Sequence, residues 1–173
     1  MTSDLAAAHP RSGPVVIGYD GSEASVYAIR EAGPLLSGRP ALVVVVYKAG
    51  VGFELLETPT VTGLPPASLD VRTAMEIDRE LAERSRRLSQ QGAALAREAG
   101  FSMAEGLAVS DDLDTPIGQT LVDVARERHA QALVVGAHGH GGLAALLGST
   151  SRDVVRRSDR PVVVVRQRGD DDR

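Results

Sequence analysis

Gly136-Ala137-His138-Gly139-His140-Gly141-Gly142, followed by Gly148-Ser149-Thr150-Ser151, is the stretch whose residue types best suit an anion. It leaves a short apolar run, Ala132-Leu133-Val134-Val135. A glycine-rich turn between a buried strand and a helix frees backbone N–H groups and lets a ligand approach them closely. The chemistry expected there is phosphate binding at a helix start. A second candidate is Asp20-Gly21-Ser22, which follows Val15-Val16-Ile17-Gly18-Tyr19. Its carboxylate lies just past the carboxyl end of a strand, on the edge of a parallel sheet where ligands sit. The plain alternative is an Asp-Gly turn, and for the glycines a tight turn before a helix.

Both stretches need strands to place them. Val15 to Tyr19, Ala41 to Tyr47, Phe101 to Val109, Ala132 to Val135 and Val162 to Val165 read as five strands. The four successive valines of the second suit a strand covered on both faces. Between the strands lie helical patterns. Ser22 caps one through about Ala32, with Gly33-Pro34 expected to end or kink it. Ala74 to Ala99 reads as a long helix with Ile77, Leu81, Leu88, Leu95 and Ala99 near one face. Thr115 caps and Pro116 starts the next, with Ile117, Leu121, Val124 and Ala125 inward. The last carries Val154 and Val155. Lys48 to Asp70, with Pro59, Pro65 and Pro66, is expected to be a long irregular loop. Alternating strands and helices predict an α/β fold, a three-layer sandwich with a five-stranded parallel sheet. Ligands on such sheets sit at the carboxyl ends of strands, where Asp20 and Gly136 both fall.

Composition narrows the function. A chain of 173 residues, 43% hydrophobic and 24% charged, is expected to form one soluble domain. The net charge of −4 argues against general attraction to nucleic acid or an anionic membrane. The absence of cysteine excludes disulfides and thiolate chemistry. No apolar run approaches the roughly 20 residues that span a bilayer, and residues 1–13 carry no signal pattern, so a cytoplasmic location is expected. Lys48 is the only lysine, and no Gly-Lys pair exists to make a Walker A loop. His138 and His140 lack a third ligand nearby. Gly139 to Ala144 matches G-x-G-x-x-A, but only one strand follows it, too few for a second mononucleotide half.

Val15 to Ser22 (VVIGYDGS), Ala132 to Gly142 (ALVVGAHGHGG), Gly148-Ser149-Thr150 and Arg160 to Arg166 (RPVVVVR) resemble the universal stress protein family. The resemblance runs in order from about Pro14 to Arg166, and implies one such domain over 14–167 between flexible ends, 1–13 and 168–173. It implies a Rossmann-like fold of the adenine nucleotide alpha hydrolase-like type. The family's ATP-binding branch carries Gly, two residues, Gly, nine residues, then Gly and Ser or Thr. Gly136, Gly139 and Gly148-Ser149 match, with eight residues rather than nine between Gly139 and Gly148. The resemblance therefore implies ATP, with Mg²⁺, held by Asp20, the main chain at Val45 and Val46, and Gly136, Gly139, Gly148, Ser149 and Thr150. It also implies a homodimer paired through Val162 to Val165, acting as a stress-response regulator with at most slow ATP hydrolysis. AMP or cyclic AMP as ligand stays open, as does a nucleotide-free dimeric interaction module. A pyrophosphatase-type enzyme ranks below these, because Asp20-Gly21-Ser22 stands where a Ser-Gly-Gly loop would be.

Overall fold

The computed structural model describes residues 13–57, 70–137 and 148–166. Of the expected flexible ends, only Gly13 falls within them. Five strands form one parallel sheet: β1 (Val15–Gly18), β2 (Ala41–Lys48), β3 (Ala104–Asp111), β4 (Ala132–Ala137) and β5 (Val162–Arg166). Their order across the sheet is β3-β2-β1-β4-β5. Helices α1 (Glu23–Leu35), α2 (Val51–Glu57), α3 (Val71–Glu98), α4 (Ile117–Glu127) and α5 (Ser149–Arg157) connect them. Among the described residues, no helix is long and apolar enough to cross a membrane.

Strand parity sorts the core into two layers. Val15, Ile17, Val43, Val45 and Val134 pack with Ala28, Ile29 and Ala32 of α1 and with Ala93 and Ala96 of α3. Val16, Leu42, Val44, Leu133 and Val135 pack with Leu121, Val122, Val124 and Ala125 of α4 and with Val154 of α5. This is the expected three-layer sandwich. The central strands are covered on both faces, which is why they read as unbroken apolar runs.

The elements differ from expectation in physical detail. Pro34 lies inside α1 rather than ending it. The N–H it lacks would have bonded the carbonyl of Arg30, which lies on the exposed side of the helix. Leu36 N–H still reaches Ala32 O at 2.9 Å. Helix α3 starts earlier, at Val71, because the Asp70 carboxylate accepts from Thr73 N–H at 2.8 Å. Its most buried seam is not the leucine stripe but Ser85, Ser89, Gly92, Ala93 and Ala96, with Leu88 and Leu95 at the flanks. Small residues let the helix axis approach the sheet closely.

Part of the expected Lys48–Asp70 loop is ordered: β2 runs through Lys48, and α2 follows. The N-terminus of α2 is capped from α3, where Asp78 accepts from Gly50 N–H at 3.2 Å and Gly52 N–H at 2.9 Å. Residues 58–69 of that expected loop lie outside the described residues. At α4, Pro116 rather than Thr115 takes the N-cap position, with no side-chain cap bond. Ile117 there is 40% exposed rather than inward, and Val155 of α5 faces outward while Val154 is buried.

Candidate nucleotide-binding cleft

The chain runs from β1 outward to β2 and β3, then returns to β4 on the other side of β1 and continues to β5. The crevice between the carboxyl ends of β1 and β4 is therefore the topological switch point, where open α/β sheets hold ligands. A cavity of about 240 Å³ lies there. Its apolar end is formed by Val44 and Val46 of β2 and by Ile117 and Leu121 of α4. Its polar end is formed by Asp20, Ser22 and Ser25, and by Gly148, Ser149, Thr150 and Ser151. Val135 and Gly136 of β4 also line it.

The N-termini of α1 and α5 flank this space. Each presents N–H groups with no partner inside its own helix, and each carries partial positive charge. At α1, Ser22 Oγ accepts from Ser25 N–H at 3.2 Å, and Ser25 Oγ donates to Ser22 O at 2.9 Å. At α5, Gly148 is the N-cap residue and supplies no side-chain cap. Asp20 sits exposed at the rim, and its Oδ1 accepts from Ser22 N–H at 3.0 Å. Loss of surrounding water raises the Asp20 pKa, but hydrogen bonds from Ser22 and Ser25 outweigh this and hold it below the usual carboxylate range. Burial, then the Asp20 charge, pushes the neighbouring Tyr19 phenol up, so it stays protonated at neutral pH.

Among the described residues, no lysine or arginine lines the cavity, and Asp20 is its one carboxylate. No group of three or more His, Cys, Asp or Glu among them is placed to hold a metal ion. The arrangement can bind an anion through helix termini and hydroxyls, with an apolar slot beside it for a flat hydrophobic group. A cation here would rest on Asp20 together with the anion's own oxygens, a donor set that suits Mg²⁺.

Seven of the eight residues singled out from sequence lie among the described ones. Asp20, Val46, Gly136, Gly148, Ser149 and Thr150 meet around this cavity, although they come from four separate segments. The side chain of Val45, whose main chain was the part expected to meet the ligand, is buried in the α1/α3 core, on the opposite face of the sheet from Val44 and Val46. Gly139 lies outside the described residues, as do His138 and His140. Sequence reading missed Val44 and Ser25 as lining residues and took Ile117 and Leu121 as core alone. Strand parity offered a signal for Val44. Nothing local offered one for Ile117, whose place depends on how α4 docks.

Gly136 has a further constraint. A Cβ built on it would stand 2.5 Å from Ala24 O and 2.7 Å from Ala24 C in the first turn of α1. The end of β4 thus approaches the start of α1 as only glycine allows.

Comparison with known proteins agrees with this architecture. Universal stress proteins of Mycobacterium bovis and Mycobacterium tuberculosis are 30% identical over 176 residues, covering 96% of this chain. The chain spans about half the length of these relatives, 50% of each. Among solved structures, the UspA protein of Lactobacillus plantarum superposes with a TM-score of 0.60 at 17% identity, covering 90% of this chain and 99% of that one. A universal stress protein crystallised in complex with cAMP gives 0.58 at 22% identity, covering 90% and 97%. These likenesses bear on the fold. The family model described as the universal stress protein family matches residues 12–166, and the chain belongs to that family.

Proposed function

We propose that the protein binds an adenine nucleotide in the β1/β4 cleft and acts, as a homodimer, in stress-response regulation. The observation that carries this reading is the pairing of two helix N-termini and a row of hydroxyls with an apolar slot at the switch point. Phosphate suits the first and a base the second. Family membership supports it, as does the relative crystallised with cAMP. ATP with Mg²⁺ is the favoured ligand because Gly136 and Gly148-Ser149 match the family's ATP motif and flank the cavity. AMP and cyclic AMP are its competitors for the same cleft.

Calorimetric titration of nucleotide-stripped protein with ATP and Mg²⁺ is the direct test, with AMP, cyclic AMP and GTP as comparators. Micromolar ATP binding that GTP does not match is expected. No heat and no thermal shift with any adenine nucleotide would overturn the reading.

The homodimer rests on β5. It is an edge strand bearing Val162, Val163, Val164 and Val165, and its outer side has no neighbouring strand among the described residues. An apolar open edge invites another strand. Pairing with a second copy about a twofold axis would cover it. Size-exclusion chromatography with light scattering is expected to give twice the chain mass at micromolar protein. A monomer mass under those conditions would remove the dimer from the proposal.

A further inference from the structure

The apolar wall of the cleft is held by a network built on the chain's single lysine. Lys48 is the last residue of β2 and is half-buried. Parity places its side chain on the face of Val44 and Val46, the β2 residues that line the cavity. Its ammonium donates to Asp112 O at 2.7 Å and also to Thr115 O. Both carbonyls belong to the turn that joins β3 to α4.

Asp111, the register partner of Lys48 on β3, completes the network. Its carboxylate accepts from the Thr120 hydroxyl of α4 and from Asp112 N–H at 2.8 Å. Thr120 itself is buried, at 7% exposure. The end of β2, the turn and the first turns of α4 are thus tied together by charge-assisted bonds, the stronger class of hydrogen bond. Ile117 and Leu121, the cavity's α4 wall, ride on the segment so fixed. Helix α4 has no side-chain cap of its own, so the network fixes the turn that leads into the helix rather than the helix's own N–H groups.

We propose that Lys48 is a positioning residue for the nucleotide cleft: its ammonium, by binding the Asp112 and Thr115 carbonyls, sets the spacing of Ile117 and Leu121 from Val44 and Val46. That spacing is the width of the slot for the base. The proposal rests on the nucleotide-binding reading above.

The absence of cysteine makes a specific test available. In K48C the one thiolate displaces bromide from 2-bromoethylamine, forming a C–S bond and restoring an amine at lysine's length. Alkylation with 1-bromopropane gives a chain of the same length without donors. Adenine-nucleotide affinity is expected to fall about tenfold or more in K48C and its propyl form, and to return in the aminoethyl form. Hydrogen exchange across residues 112–121 of the ligand-free protein is expected to speed up and recover in the same pattern. Propylated protein that binds like wild type overturns the proposal, as does aminoethylated protein that melts normally and stays weak. If K48C fails to fold, K48M titrated in the same way decides: wild-type affinity overturns the proposal, and a loss of that size upholds it. If wild type binds no adenine nucleotide, the functional reading falls. Exchange unaltered in the K48C forms then overturns the clasp as well.

Discussion

Gly136→Ala is expected to destabilise the fold by about 3 kcal/mol, whereas Gly148→Val leaves the fold standing and abolishes nucleotide binding. Both glycines belong to the same sequence motif, but the space around them differs. At Gly136 the new methyl would lie 2.5 Å from Ala24 O, well inside contact distance. The atoms it meets are backbone, so no side chain can swing aside. Nor can the first turn of α1 retreat freely, because Ala28, Ile29 and Ala32 are fully buried behind it. At Gly148 the nearest atom to an added Cβ, among the described residues other than its chain neighbours, is Ser151 Oγ at 3.9 Å. Its φ of −57° and ψ of 167° suit any residue. Loss of a glycine N-cap to valine costs α5 about 1 kcal/mol or less. The isopropyl group, however, would occupy the approach to the α5 N–H groups. Urea denaturation and calorimetry separate the two effects. Wild-type stability in Gly136→Ala would show that α1 yields more easily than its packing implies. Wild-type affinity in Gly148→Val would move the phosphate seat away from α5.

That contrast shows what local sequence conveys and what it does not. The central strands were legible because burial on both faces leaves continuous apolar runs such as Ala41 to Tyr47, and the edge strand β3 from the alternation of Phe101, Met103, Leu107 and Val109. The placement of Asp20 and Gly136 followed from strand ends and the switch-point rule, which needs only the order of elements. Three features were not legible, each because its cause is distant in the chain. Helix α2 carries no local cap; Asp78 supplies it from α3. The α3 seam is made of serine, glycine and alanine, which a search for apolar periodicity passes over. Thr115 looked like the cap of α4, but its carbonyl is taken by Lys48 and the helix begins after Pro116. Parity puts Val45 and Val46 on opposite faces, so only one of the pair can face a ligand with its side chain, whereas the expectation at Val45 concerned its main chain.

Asp20→Asn is expected to change nucleotide affinity in opposite directions with and without Mg²⁺. Asparagine keeps an oxygen for Ser22 N–H, so the turn at Asp20-Gly21-Ser22 survives and the charge alone is removed. In the metal-free protein a carboxylate faces a ligand's phosphates with no cationic side chain among the described lining residues to offset it. Like charges repel, so D20N is expected to bind metal-free ATP a few-fold more tightly. With Mg²⁺ present, Asp20 becomes an attractive partner, and D20N is expected to bind Mg²⁺–ATP about tenfold more weakly. AMP, with fewer charges, should show the same signs and smaller changes. The folded protein's acid limb supplies an independent check. Asp20 is held below its ordinary pKa, so its contribution to stability is present above the unfolded-state value of about 3.9. That contribution is lost as pH falls through the lower folded-state value, and D20N should flatten this part of the stability profile. Equal affinities for wild type and D20N under both metal conditions would place Asp20 outside the phosphate field, leaving it a turn residue and the helix N-termini as the whole of the anion site.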